Sequence, residues 1–113
     1  MDSAVVLRVL GNKYNGDILR ATHEPKSAQE LSEELDIPIA TAYRRIEELI
    51  DHDLLKLEGR EFSEEGRRTK VYRRTVDEIS VSFGRGEFEI DFKERTEAKN
   101  NLVDVWSDLR EQT

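Results

Sequence analysis

The chain contains no cysteine, only two prolines and few aromatic residues. Without cysteine there can be no disulfide, thiolate metal site, cysteine nucleophile or thiol redox sensor. No apolar run is long enough for a transmembrane helix, and an arginine interrupts the apolar stretch near the start, unlike a secretory signal. We therefore expect a soluble, cytoplasmic protein with no membrane partner.

Residues that commonly carry catalysis are also scarce. The two histidines, His23 and His52, are far apart in sequence, and neither lies near a nucleophile in a recognisable motif. No glycine-rich phosphate loop occurs, and Gly84-Arg85-Gly86 has the composition of a turn. We expect no enzymatic activity, no cofactor and no metal.

The 113 residues fit a single compact domain. Apolar residues make up 36% of the chain and charged residues 38%, so the core is thin. A thin core favours burial against a second copy of the chain.

Three helices are predicted in the first half. Residues 3–10 form a short helix before Gly11. Asn12 is then suited to cap a second helix that ends before Pro25. Ser27 and Glu30 form a capping box that begins the next helix. In these two helices the predicted inward residues are Tyr14, Ile18, Leu19, Ala21, Ala28, Leu31 and Leu35.

A further helix is predicted from Pro38 to about His52, after a break at residues 36–38. Its apolar residues recur at helical spacing, so one side faces the core and the other faces solvent. The predicted inward residues are Ala42, Ile46, Leu49 and Ile50. The predicted outward residues are Ala40, Thr41, Tyr43, Arg44, Glu47, Glu48 and Asp51.

The second half has the pattern of strands followed by a helix. Residues 54–57 and 71–72 are β-prone and flank a polar connection over 59–69, which predicts a hairpin. Residues 79–92 alternate apolar and polar around a turn at 84–87, which predicts a second hairpin. A terminal helix over about 94–111 carries an apolar stripe of Ala98, Leu102, Val105, Trp106 and Leu109. The stripe can pack on its own domain or on its twin in a dimer, and we favour the dimer.

These elements predict an α+β fold: a winged helix-turn-helix with an additional C-terminal β-hairpin and a terminal dimerisation helix. Residues 1–76 would form the DNA-binding region, and residues 77–113 would form the dimerisation part of the same compact domain. In such a fold the major groove of DNA admits one α-helix, while the preceding helix holds it in place.

Residues 27–74 resemble the winged-helix core of ArsR-type transcriptional regulators, closest to versions found in salt-loving archaea. The shared pattern includes Leu31, a second leucine at Leu35, and the Ile37-Pro38 turn. The resemblance implies base contacts by Ile39, Ala40, Tyr43 and Arg44. It implies phosphate contacts by Ser27, Thr41 and Arg45, and minor-groove or backbone contacts by Arg67, Arg68 and Lys70. Arg45 lies beside the core stripe, so pairing with an internal acid is the alternative.

Many members of this family sense metals through cysteine, or through aspartate and histidine in the terminal helix. This chain has no cysteine, and its predicted terminal helix has no histidine. The resemblance therefore implies no metal site.

The net charge of −7 argues against nucleic acid as a partner, but the charge is unevenly distributed. Residues 1–37 carry −3, residues 38–76 carry +1 and residues 77–113 carry −5. Residues 66–76 include five basic side chains and no acidic one. Such a basic stripe is typical of a DNA-binding face.

The sequence therefore predicts a homodimeric, sequence-specific transcriptional regulator that binds double-stranded DNA. Leu102, Val105, Trp106 and Leu109 are the predicted dimer contacts. The alternative is a protein–protein interaction module, or an anti-regulator whose acidic half imitates DNA. The acid excess and the preference for arginine over lysine also resemble proteins from cells with molar internal salt.

Overall fold

The structure is a computed structural model that describes residues 3–62 and 68–95. These residues form a mixed helix and sheet fold, in which the described helices lie in the first half and most of the described strands in the second. The elements are α1 (Ser3–Leu10), α2 (Lys13–Ala21), β1 (Lys26–Ser27), α3 (Ala28–Leu35), α4 (Ile39–Asp51), β2 (Leu55–Phe62), β3 (Arg68–Arg74), β4 (Val76–Phe83) and β5 (Phe88–Glu94).

Local side-chain caps begin two of the helices, as predicted. The Asn12 side chain accepts a hydrogen bond from the Tyr14 amide at 3.0 Å. The Ser27 hydroxyl accepts from the Glu30 amide at 3.0 Å, while the Glu30 carboxylate accepts from the Ser27 amide at 3.0 Å. Both caps satisfy amides that have no partner within their helix, and both predictions are confirmed.

α2 ends at Ala21, earlier than the predicted limit at Pro25. Thr22 ends it, since the Thr22 hydroxyl and amide both donate to the Ile18 carbonyl, at 2.8 and 3.0 Å. The predicted inward face of α2 was also slightly wrong. Asn15, rather than Tyr14, lies in the core.

The turn between α3 and α4 is tight. Asp36 adopts the left-handed conformation at φ 54°, which ends α3. The Ser32 hydroxyl donates to the Ile37 carbonyl and joins α3 to the turn. Pro38 stands directly before α4, where its missing amide hydrogen leaves no helical bond unmade.

The core forms where α2, α3 and α4 meet the first residues after α4. Ile18, Leu31, Ile46 and Leu49 are at most 2% exposed, and Leu54 and Leu55 extend the same cluster. Ile50, predicted to face inward, is half-buried at its margin. Burial of this side of α4 directs the opposite side outward.

Three antiparallel strands flank the helices in the order β1-β3-β2. β1 was not predicted, because a Lys-Ser pair carries no strand pattern. β2 and β3 are longer than predicted, because backbone pairing continues through polar residues as far as Phe62 and Arg68. A bulge between Leu57 and Gly59 shifts the register of β2.

β4 and β5 form a separate two-stranded antiparallel sheet. Gly86 in the connecting turn has φ 90°, which favours glycine. α1 lies against β5. Arg67 and the predicted terminal helix, with Leu102, Val105, Trp106 and Leu109, lie outside the described residues.

The capping box gives the first testable prediction. Ser27→Ala removes the acceptor for the Glu30 amide, so the free energy of unfolding should fall by about 1 kcal/mol. Urea denaturation measures the change. Ser80→Ala, on an exposed strand position, is the matched control and should change the value by less than about 0.5 kcal/mol. Equal stability of the Ser27 variant and the wild type would contradict the assigned role.

Candidate nucleic-acid interface

The amino-terminal half of α4 presents several side chains to solvent. Tyr43 is 53% exposed and Ile39 39% exposed, while Ala40 and Arg44 are also exposed. Thr41 is half-buried beside them. Ala40, Tyr43 and Arg44 lie on the side away from the buried residues, which is the outer face that helical spacing predicts, and Ile39 is exposed at the first residue of the helix.

Arg44 is available for contacts outside the molecule. Within residues 3–62 and 68–95, no acidic side chain forms an ion pair with its guanidinium. A guanidinium carries a fixed fork of donors and can bind two acceptors of a guanine edge at once.

Arg45 is placed differently from Arg44. Its side chain is 15% exposed, and Nη1 lies 3.0 Å from Glu48 Oε2. The sequence left open whether Arg45 contacts phosphate or pairs with an internal acid, and the structure shows the ion pair. Glu48 was predicted to face outward, which is wrong, because its carboxylate points towards Arg45 and α2.

Glu48 also joins α4 to α2 through Asn15. The Asn15 side-chain amide donates to Glu48 Oε1 at 3.0 Å and to the Val9 carbonyl at 2.8 Å. The reverse orientation of this amide would set its oxygen against two acceptors, so the bonding pattern selects one orientation. Asn15 Oδ1 is buried and accepts no hydrogen bond from the described residues. We call Asn15, Arg45 and Glu48 the polar bridge.

Ser27 is buried, at 4% exposure, and its hydroxyl accepts from the Glu30 amide. In this arrangement it serves the start of α3. The phosphate contact that the resemblance implies stays a prediction.

Several basic side chains lie along the β2–β3 hairpin. Arg68 and Lys70 are exposed on alternate positions of β3, and Arg60 of β2 stands opposite Lys70. We call Arg60, Arg68 and Lys70 the basic row. Arg60 was not in the predicted set, although its place in the predicted connection could have indicated it.

The other two basic side chains of β3 are held within the fold. Arg73 Nε donates to the His23 carbonyl at 3.1 Å. Arg74 Nη1 donates to the Leu19 carbonyl at 3.1 Å, and Nη2 lies 3.4 Å from Asp77. The five basic residues of 66–76 therefore do not all belong to one exposed stripe.

Tyr72 lies between α4 and the basic row. It is 8% exposed and stands on the same face of β3 as Arg68 and Lys70. Burial raises the pKa of its phenol, Tyr43 and Glu47 add to the rise, and Arg60 opposes it. The phenol thus stays protonated at neutral pH. Because Tyr43 and Glu47 belong to α4 and Arg60 belongs to β2, both elements approach Tyr72.

His52 ends α4 as its C-terminal cap and lines an open cleft of about 360 Å³ at the base of β4 and β5.

Across the described ranges, no three His, Asp or Glu side chains come together in a way that could hold a metal ion. Among the described helices, none is long and apolar enough to span a membrane.

The sequence analysis did not predict two interactions of the site, because each links distant parts of the chain. Asn15 meets a residue 33 positions away, and Arg74 meets one 55 positions away. The position of Asn15 three residues before Ile18, on the inward face of α2, was the available signal for a buried polar contact.

The polar bridge gives a second prediction. Glu48→Ala leaves the Asn15 amide and the Arg45 guanidinium without their acceptor, so the free energy of unfolding should fall by about 1–3 kcal/mol. Glu48→Gln keeps an oxygen acceptor and should lose less. Glu47→Ala, one residue away and exposed, is the control for loss of a helix carboxylate. If urea denaturation gives the same loss for Glu47→Ala and Glu48→Ala, the bridge does not stabilise the fold.

Comparison with known proteins agrees with this geometry. Residues 10–58, a little under half of the chain, match a family model described as a helix-turn-helix domain. The match spans α2, α3 and α4 and ends within β2. No curated protein matches the chain. Residues 10–58 are therefore similar to a helix-turn-helix domain, the kind of domain that DNA-binding regulators of transcription carry.

Proposed function

We propose that this protein is a sequence-specific transcriptional regulator that binds double-stranded DNA as a homodimer. α4 would enter the major groove, and the β2–β3 hairpin would act as a wing at the flanking groove or backbone. The observation that carries the proposal is the outer face of α4, where Tyr43 and Arg44 are exposed while Ala42, Ile46 and Leu49 hold the helix to the core.

The shape of the helix fits this role. A major groove is about 12 Å wide and an α-helix with its side chains about 10–12 Å across, so one helix fits. In helix-turn-helix proteins the first residues of the inserted helix approach the bases. Ile39, Ala40, Tyr43 and Arg44 occupy that part of α4, with Thr41 at its side.

The basic row gives the wing its own role. Phosphate contacts orient a protein on DNA without reading its sequence. Arg68 and Lys70 are the predicted contacts of this kind, and Arg60 adjoins them. Ser27 and Arg45 have partners inside the fold, so we propose that they first support α3 and α4, and the phosphate contact of Ser27 stays a prediction.

We also propose that the protein is related to ArsR-type regulators and that it acts in a cell with molar internal salt. At 1 M salt the screening length falls to about 3 Å, so repulsion between distant acidic residues and phosphate is weak. Affinity from released counterions also weakens at high salt, so base contacts and shape must contribute more. Binding should therefore persist at molar potassium chloride, and complete loss of binding there would contradict this part.

A homodimer would place two copies of α4 on one side of the duplex. Successive major grooves on one side lie about 34 Å apart, so the two half-sites should be separated by that distance or a multiple. A twofold dimer also requires a roughly palindromic operator. The predicted contacts Leu102, Val105, Trp106 and Leu109 lie outside the described residues, and sedimentation that finds only monomer would contradict this arrangement.

The second candidate function is binding to another protein, with the acidic half imitating DNA. The exposed carboxylates of Glu78, Glu89 and Asp91 on β4 and β5 favour it. Gel-shift assays against genomic fragments distinguish the two functions, because a DNA mimic retards none of them.

Loss of a base contact is the third prediction. Arg44→Ala should weaken binding to a duplex selected by the wild-type protein by about 1–3 kcal/mol and relax the preference at one base pair. Arg20→Ala removes an exposed arginine from α2 and serves as the control. An unchanged affinity and base preference would remove Arg44 from the contact set.

Loss of a phosphate contact is the fourth prediction. Arg68→Ala should weaken all duplexes alike and reduce the slope of log affinity against log salt by about 1. Arg85→Ala, in the turn between β4 and β5, is the control. A change in base preference with an unaltered salt slope would show that Arg68 does not act on the backbone.

A further inference from the structure

The outer face of α4 includes a carboxylate. Glu47 is exposed and lies seven residues after Ala40, which places it about 20° from the same direction around the helix axis. It is therefore on the side away from the buried Leu49. A homeodomain helix contacts bases through residues spaced i, i+3, i+4 and i+7. Ala40, Tyr43, Arg44 and Glu47 have the same spacing, so Glu47 belongs to the surface that faces the bases.

The Glu47 carboxylate differs from its neighbour in having no partner inside the fold. Glu48 is held by Arg45 and Asn15. In the described part of the chain, by contrast, no ion pair and no hydrogen bond involves the Glu47 carboxylate. This includes Arg44, which is three residues away and therefore within reach along the helix. The carboxylate is thus available to a group outside the molecule.

Glu47 also lies close to the strands that carry the basic row. Burial is the main cause of the raised pKa of the Tyr72 phenol, and the negative charge of Glu47 adds to the rise, so the carboxylate is near β3. Lys70 is exposed two residues before Tyr72 on the same face of that strand. A duplex that contacts both Arg44 and the basic row would therefore cover Glu47.

A carboxylate in this position opposes binding to most DNA sequences. It has the same sign of charge as the phosphates, and it loses its water when a duplex covers it. Only a hydrogen-bond donor on a base can offset that cost. In the major groove the donors are the amino groups of cytosine and adenine, and a carboxylate is the usual partner of the cytosine amino group. Such a residue weakens binding to wrong sequences more than to the right one.

We propose that Glu47 determines specificity by accepting a hydrogen bond from a cytosine amino group in the major groove and by disfavouring every duplex that lacks one there. The inference rests on the proposed function and adds a feature of the operator. Glu47 lies about 4.5 Å further along α4 than Arg44, and base pairs are stacked about 3.4 Å apart. The cytosine should therefore lie within about two base pairs of the guanine that Arg44 contacts.

The test compares base preferences of the full chain and its variants. Each protein selects from a pool of random duplexes, and fluorescence anisotropy at one potassium chloride concentration then measures affinity for single-base-pair variants of the selected duplex. The wild type should prefer cytosine at one base pair by about tenfold. Glu47→Ala should lose that preference by binding the other duplexes more tightly. This gain is opposite in sign to the loss expected for Arg44→Ala.

Glu47→Gln provides a second, sharper variant. A glutamine amide pairs with two groups on the edge of adenine, so the preference at the same base pair should change from cytosine to adenine. A residue that only stabilised α4 could not produce such a change when replaced. Asp51→Ala is the matched control, because it removes the same charge one turn further along the exposed side of α4. Its base preferences should equal those of the wild type.

Two results would overturn the inference and leave the proposed function intact. One is a wild-type preference at every base pair in both Glu47 variants. The other is a change in affinity for Glu47→Ala that is alike for all duplexes. A wild-type protein that selects no sequence from the pool would instead overturn the proposed function, and this inference with it.

Discussion

Burial of one side of α4 is the constraint on which the rest of the structure depends. Ala42, Ile46 and Leu49 are at most 2% exposed against α2, α3 and the start of β2. Complete burial of an aliphatic side chain such as Ile46 contributes about 1.5–3 kcal/mol, so α4 cannot easily rotate to expose these residues. The residues on the opposite side, including Tyr43 and Arg44, therefore face solvent.

Apolar packing alone fixes the orientation of a helix less sharply than directed bonds do. The polar bridge adds that direction, since Glu48 accepts from Asn15 of α2 and pairs with Arg45 of α4. Removing one member leaves buried polar atoms unpaired, which costs more than an intact hydrogen bond contributes. One arginine of the Arg44–Arg45 pair thus supports the helix, while its neighbour is available to a partner.

Features that depend on neighbouring residues could be predicted from the sequence. The Asn12 cap and the Ser27–Glu30 capping box each need only a few residues, and both are present. The buried side of α4 followed from its helical spacing. β1 and the Asn15–Glu48 bond depend on distant segments that only the folded chain brings together. The outward placement predicted for Glu48 was wrong for the same reason, because helical spacing alone directs this side chain outward and the bond from Asn15 of α2 turns its carboxylate towards the fold.

The charge distribution agrees with the geometry. The basic row lies on the face of β3 that meets α4 through Tyr72, while the net negative charge of residues 77–113 belongs to the other half.

The central claim is that the outer face of α4 contacts DNA. The most direct test is a nuclear magnetic resonance titration of the ¹⁵N-labelled protein with a short duplex. The account predicts amide shifts centred on residues 39–44, with weaker ones around Arg68 and Lys70. Shifts confined to β4 and β5, or no shifts at saturating duplex, would contradict it.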